Sequence, residues 1–217
     1  MKPDFNFRYY DESKLILLII LLYIGSEALV NFIIDRLQNY DIQYYRFYPA
    51  AIFLALVFSL INRNLHKLPF LWKLLVKVPL IRGTYKGKVN FTFEEEERSK
   101  NCKLVIYQTT SDIKIDCYFW NEDEKGNKIL NTQTRSESIV EDLIPQKNGF
   151  YRLLFYYQQK GSSDSSIPMR EGFNVLNFIK TGSLKRLEGR YFVKNGLSKG
   201  NGGTICVDFE TKKLNHI

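Results

Sequence analysis

Residues 82–93 read RGTYKGKVNFTF. Tyr85, Gly87, Val89, Phe91 and Phe93 alternate with Lys86, Lys88, Asn90 and Thr92. A repeat of two sends one set to one face of a strand and the other set to the opposite face. The pattern continues downstream. Leu104, Ile106 and Gln108 alternate with Lys103, Val105 and Tyr107, and Ile113, Ile115, Cys117 and Phe119 alternate with Lys114, Asp116, Tyr118 and Trp120. Further strands are expected around 128–135, 150–159, 173–179, 187–194 and 204–209, while Ser136–Leu143 suits helix or strand equally. Eight short strands without a convincing helix between 80 and 217 predict a small antiparallel β-barrel. Closure removes the exposed sheet edges, and the interior holds side chains or one small ligand. Gly83-Thr84-Tyr85 and Gly189-Arg190-Tyr191 share a short pattern, expected at strand starts beside the barrel mouth. The charged stretches Glu94–Asn101 and Asn121–Asn127 read as solvated turns, and Lys160–Ser166 (KGSSDSS) as a loop or lid.

Upstream the character of the chain changes. Leu15–Ile34 is apolar over 20 residues, broken only by Glu27, and at 1.5 Å per residue it is about 30 Å long, the thickness of a bilayer core. Phe47–Ile61 is a second uncharged run, of 15 residues. Tyr44, Tyr45 and Tyr48 before it and Asn62 and Arg63 after it suit the two interfaces. The fold class expected is therefore a hairpin of two transmembrane helices, about 15–34 and 45–62, a basic amphipathic linker at 63–79, and the barrel. The mixed charge before Leu15 and the length of the apolar run argue against a cleaved leader. Lys2, Arg8 and Lys14 precede the first span, and Arg63, Lys67, Lys73, Lys77 and Arg82 follow the second; the connection holds only Arg36 and Arg46. The bias of Lys and Arg toward the cytoplasm puts both chain ends and the barrel there. Glu27 and Asn31 share a helix face with Tyr23, and a carboxylate at that depth has to face protein or water. Ala51, Ala55 and Ser59 form a small-residue stripe suited to close packing. These four residues, Glu27, Asn31, Ala51 and Ala55, are candidates either for simple packing of the hairpin or for self-association.

Composition limits the chemistry. The 217 residues carry 31 Lys and Arg against 23 Asp and Glu, a formal net charge of +8. From Leu80 onward there are 22 basic and 17 acidic residues, a net +5, which favours an anionic partner. The three cysteines, Cys102, Cys117 and Cys206, show no paired spacing, so neither a disulfide framework nor a zinc site is expected and reduced cytosolic thiols fit. Both histidines, His66 and His216, lie outside the body of the barrel. No GxSxG, phosphate-binding loop or HExxH motif occurs. Neither enzyme activity nor a cofactor is expected. Arg, Tyr and Trp are well supplied, the groups that pair with phosphate and stack on bases; the same aromatics also suit core packing.

Two apolar segments followed by Arg82-Gly83-Thr84-Tyr85-Lys86-Gly87, Ile106-Tyr107-Gln108-Thr109, Thr134-Arg135-Ser136-Glu137-Ser138, Leu154-Phe155-Tyr156-Tyr157 and Leu187-Glu188-Gly189-Arg190-Tyr191-Phe192, with Gly203-Thr204-Ile205 after them, resemble a known arrangement. It is that of the two-transmembrane β-barrel effectors of bacterial CBASS antiphage signalling, the CD-NTase-associated membrane effectors. The family's His-x-Gly segment reads Arg170-Glu171-Gly172 here. The resemblance implies a barrel that binds a cyclic dinucleotide made by a partner nucleotidyltransferase, then homo-oligomerises and disrupts the inner membrane; it implies no DNA or RNA partner. On motif position and chemistry, Arg135, Arg170 and Arg190 are the expected phosphate partners. Tyr107, Tyr156 and Tyr191 would stack on bases, and Gln108, Thr134, Ser136 and Ser138 would hydrogen-bond base edges or ribose. Parity turns Gln108 inward and Tyr107 outward. Two rival readings remain open at this point: a membrane-tethered lipid-binding barrel, and a structural membrane-interaction module.

Overall fold

The computed structural model describes residues 7–38, 49–93, 95–123, 125–160, 170–194 and 202–216. The chain divides into two units. One comprises 1–80 together with the turn Thr109–Asp112, and the other comprises 81–108 and 113–217.

In the first unit, helix α1 (Glu12–Gln38) packs along helix α2 (Pro49–Asn64). α1 is long and apolar enough to cross a membrane. α2 has 16 residues, about 24 Å, short of the 30 Å of a hydrocarbon core. It starts at Pro49, so the proposed start of the second span, with Tyr44, Tyr45, Arg46 and Tyr48, lies outside the described residues. The buried seam runs through Leu15 and Ser26 on α1 and Phe58 on α2. Ala51, Ala55 and Ser59 are exposed, while Phe58, the buried residue of α2, packs on Phe7 and Tyr10 just before α1. Glu27 is half-buried, hydrogen-bonded by the Tyr23 hydroxyl, and Asn31 is exposed.

The expected linker is two elements. A 3-10 turn, Leu65–Lys67, leads into the short helix α3 (Pro69–Leu75), and the chain bends by 115° between α2 and α3. Pro69 opens α3, where its missing N–H is not needed. The end of α3 is tied back to the start of α1. Tyr10 and Val76 form an antiparallel bridge, Asp11 N–H donates to Leu75 O (2.9 Å) and Lys77 N–H to Tyr9 O (2.8 Å). Tyr10 sits among Phe7 and Phe58, and its hydroxyl donates to Thr110 Oγ1 at 3.0 Å.

The second unit is a closed antiparallel barrel in simple sequence order: β1 (Gly83–Phe93), β2 (Glu96–Gln108), β3 (Ile113–Glu122), β4 (Lys128–Pro145), β5 (Tyr151–Lys160), β6 (Glu171–Thr181), β7 (Leu184–Val193) and β8 (Gly202–Thr211). β8 returns to pair with β1. Ser136–Leu143 resolves as strand. A bulge between Ser138 and Val140 reverses its parity, so Ser136 and Ser138 face inward before it and Leu143 after it. That reversal explains why the segment reads ambiguously. Glu96–Asn101 is also strand, not solvated turn, and residue 94 lies outside the described residues.

Inward residues at one end of the barrel, among them Tyr85, Leu104, Ile106, Ile113, Leu153 and Phe155, are fully or almost fully buried and fill it. At that end Tyr85 Oη donates to Ile81 O (2.9 Å), and Gln108 Oε1 accepts from Ile81 N–H (2.7 Å). The G-x-Y echo separates here. Gly83 does begin β1, but Gly189 lies inside β7, so Tyr85 and Tyr191 sit at opposite ends. Gly189 is required by close approach: a Cβ there would stand 2.0 Å from Val175 O on the adjacent strand. Overcrowding of this kind costs about 1–3 kcal/mol. Gly189→Ala is therefore expected to lower the melting temperature of the detergent-solubilised chain by about 2–4 °C per kcal/mol. Loss of the β-sheet circular dichroism signal measures it, and an unchanged midpoint contradicts the close approach.

Candidate ligand pocket at the barrel mouth

The far end of the barrel is not filled. A well of about 180 Å³ opens there, at the end where β1, β3, β5 and β7 finish and β2, β4, β6 and β8 begin. All the wall residues but Thr92 follow from strand parity. Continuing outward from the packed end, β2 passes from Leu104 through Cys102 to Lys100, and β5 from Phe155 through Tyr157 to Gln159. β6 passes from Leu176 through Asn174 to Gly172, with Arg170 just before its first residue, and β7 passes from Gly189 through Tyr191 to Val193. β3 and β4 add Cys117, Phe119, Thr134 and Ser136, while Val89, Phe91 and Ile205 supply apolar wall. A second recess of about 710 Å³ shares Phe91, Lys100 and Arg170 with the well and adds Lys88 and Arg98 along the lip. Sites that enclose a whole small ligand span roughly 300–1,000 Å³. The well alone is smaller than that, and well plus recess reaches it.

The electrostatics of this end favour an anion. Burial, and then the positive charge of Arg170, hold the Lys100 ammonium below the ordinary lysine range. Among the described residues neither Lys100 nor Arg170 forms an ion pair. Lys100 is half-buried and Arg170 exposed. Glu122, which accepts from Trp120 Nε1–H, lines the recess they share without pairing with either, so an incoming anion would relieve the repulsion between the two cations. The phenols remain neutral. Burial pushes Tyr191 up to about 12 and Tyr157 higher still, so both hydroxyls stay protonated donors at neutral pH. Cys117 is buried, its thiol pushed up to about 12 despite a hydrogen bond with Ser136, and it is an inert wall residue, not a nucleophile. Asn174 is buried and offers an amide to the well.

Four residues expected at the site, Thr134, Ser136, Arg170 and Tyr191, line the well together. The other six do not. Gln108 lies in the packed end against Ile81. Ser138 closes the β4 bulge, its Oγ accepting from Ile115 N–H at 2.8 Å and bonding to the Glu141 carboxylate. Tyr156 is on the outer wall, where its hydroxyl bonds to Glu171 beneath Lys194. Arg190 is exposed on the outside of β7, because its neighbour Gly189 takes the inward position. Tyr107 and Arg135 meet in an outer-wall cluster. Arg135 pairs with Glu137 (2.8 Å) and with buried Asp116 (3.4 Å) and lies over Tyr118, while Tyr107 stacks on His216. His216 Nδ1 is 2.6 Å from Tyr118 Oη and 3.6 Å from Asp116 Oδ2. Lys100, Tyr157, Gln159 and Asn174 are the polar wall residues, besides Thr92 and Cys117, that motif reading missed. Counting parity back from Leu104, or outward from Phe155 and Leu176, reaches all four.

Among the described residues, no group of three or more His, Cys, Asp and Glu could hold a metal ion. No family model and no curated protein matches this sequence.

The lowered Lys100 sets a pH dependence. An anion favours the charged ammonium, so affinity is greatest while Lys100 is protonated and is lost as pH rises through its depressed pKa. If an anion seats at Lys100, titrating the affinity for inorganic pyrophosphate from neutral to alkaline pH should show this loss in the native chain, shifted to higher pH in Lys100→Arg. Identical profiles contradict the placement of Lys100 at the anion.

Proposed function

We propose that the barrel is the receptor of a membrane-anchored effector and that its ligand is a cyclic dinucleotide. The carrying observation is the mouth: Lys100 and Arg170 stand together over a well walled by Tyr157, Tyr191, Phe91 and Phe119. One base enters the well and stacks on its aromatic wall, where Thr134, Ser136, Asn174 and Gln159 can read its edge. Stacking contributes about 1–3 kcal/mol per base. The sugar–phosphate ring and second base occupy the wider recess, with phosphate on Arg170 and Lys100. The apolar part of the wall also suits an acyl chain under a charged head, the second reading, and the same test distinguishes it.

The anchor belongs to the same reading. α1 and α2 form a hairpin in the inner membrane with the flanking segments on the cytoplasmic face. The Tyr10–Val76 bridge supports this, since it returns the chain after α2 to the point where α1 begins. So does the excess of Lys and Arg on the flanks. Ligand binding drives homo-oligomerisation, the assembled helices disrupt the membrane, and growth stops. No catalytic step is part of this reading; the nucleotidyltransferase that makes the ligand is a separate protein.

A thermal-shift panel of cyclic dinucleotides on the full chain in detergent tests the receptor. A ligand at a hundredfold excess over its Kd adds about 2.7 kcal/mol, a shift of several degrees. Arg170→Ala should weaken the binding about 10- to 100-fold, the worth of one charge-assisted hydrogen bond. Arg135→Ala, on the outer wall, should leave it unchanged. No shift with any member, or an acyl lipid copurifying in the well, overturns the proposal. For the anchor, Glu27→Ala is expected to keep ligand binding and weaken growth arrest on expression with the synthase; undiminished arrest reduces Glu27 to a packing residue.

A further inference from the structure

The receptor reading makes no use of α3, yet α3 carries the most exposed large apolar residue of the described chain. Phe70 is 78% exposed and Leu74, one turn on, is 47% exposed, with Leu71 between them at 36%. The opposite side is committed to the protein: Trp72 and Leu75 are buried, and Trp72 Nε1–H donates to Val78 O at 2.9 Å. A seven-residue helix with two finished faces, one packed and one bare and apolar, calls for an occupant.

Three observations on the page select a lipid surface. The 115° bend takes α3 away from the line of α2, so it does not lengthen that helix toward a full span. The bridge from Tyr10 to Val76, with the 3.1 Å ion pair of Lys77 and Glu12, ties α3 to the level at which α1 starts. And cations cluster near it in sequence: Lys73 on α3, Lys67 in the turn before it and Arg63 at the end of α2. A short amphipathic helix with basic flanks lies in the headgroup layer of an anionic bilayer, its apolar side at the acyl boundary and its lysines reaching the phosphates. We propose that α3 is such an interfacial anchor: Phe70, Leu71 and Leu74 enter the boundary of the membrane in which α1 stands, and Lys67, Lys73 and Arg63 meet anionic headgroups. This depends on α1 being inserted in a bilayer, and not on the identity of any barrel ligand.

The test uses the full chain with Cys206→Ser, reconstituted in phosphatidylcholine vesicles with or without phosphatidylglycerol. Cys102 and Cys117 are buried and stay unlabelled. An environment-sensitive fluorophore is placed at Phe70→Cys or Leu74→Cys, and at Leu21→Cys in α1 as reference. Lipids brominated near the headgroup should quench the α3 labels best, lipids brominated near the chain ends should quench the Leu21 label best, and phosphatidylglycerol should increase the α3 quenching. Lys67→Gln with Lys73→Gln should remove that increase. An α3 label quenched best by deep bromines is part of a span, and one quenched by neither is away from lipid; either result overturns the proposal. An effect of phosphatidylglycerol that survives the double substitution overturns its electrostatic half. If the Leu21 label is unquenched, α1 is not inserted, and the bilayer reading and this proposal fall together. Loss of nucleotide binding would leave both standing.

Discussion

In a closed barrel of eight strands, every second side chain has to fit inside a narrow ring. That constraint governs this molecule. At one end the ring is filled by Leu104, Ile106, Ile113, Leu153 and Phe155, and the few polar groups are satisfied locally: Gln108 accepts from the Ile81 amide, and Tyr85 donates to the Ile81 carbonyl. At the other end the same strand positions carry Lys100, Arg170, Asn174, Gln159 and Tyr191, which do not fill it. A cation turned inward is costly unless something pairs with it. The polarity gradient along the barrel axis is thus built into successive inward positions of single strands. β2 shows the whole of it in one run, Gln108, Ile106, Leu104, Cys102, Lys100.

The well and the outer wall use similar residues for different ends. Arg135 sits between Asp116 and Glu137 and over Tyr118, so its charge is already balanced. Arg170 has no such carboxylate among the described residues. Leu214 packs on Val105, Tyr118 and Trp120, and His216 lies against Tyr107 and Tyr118, so the segment after β8 covers part of that wall. Satisfied charge holds structure together; charge at an opening with no ion pair is suited to meet an anion. This difference, more than residue type, distinguishes Arg170 from Arg135.

Most of the fold was legible because alternation is a strong signal over strands of ten residues or more. All eight strands, their order and the barrel closure follow from it. Three features escaped for specific reasons. The bulge after Ser138 inverts parity midway along β4, so Leu143 contradicts Ser136 unless an extra residue is allowed. Lys100 sits in the charged run 94–101, which hides that its parity is that of Leu104. Gly189 resembles Gly83 in local motif but lies mid-strand, where only the backbone of β6 explains it. The site was legible only in part, because motif resemblance does not report facing: Thr134, Ser136, Arg170 and Tyr191 turn in, while Tyr156 and Arg190 turn out. For the helices, hydropathy marks α1 plainly. It separated the linker from the second span but could not show how sharply the chain bends before Pro69.

The claim on which the account rests is that Lys100 and Arg170 hold a nucleotide phosphate at the mouth of a half-filled barrel. A crystal structure of the chain grown with the cyclic dinucleotide that binds best examines it directly. The account predicts a base in the well beside Tyr157 and Tyr191 and a phosphate in ion-pair contact with Arg170 and Lys100. A nucleotide found on the outer wall at Tyr107, Arg135 and His216, or a well occupied by an acyl chain, would contradict it.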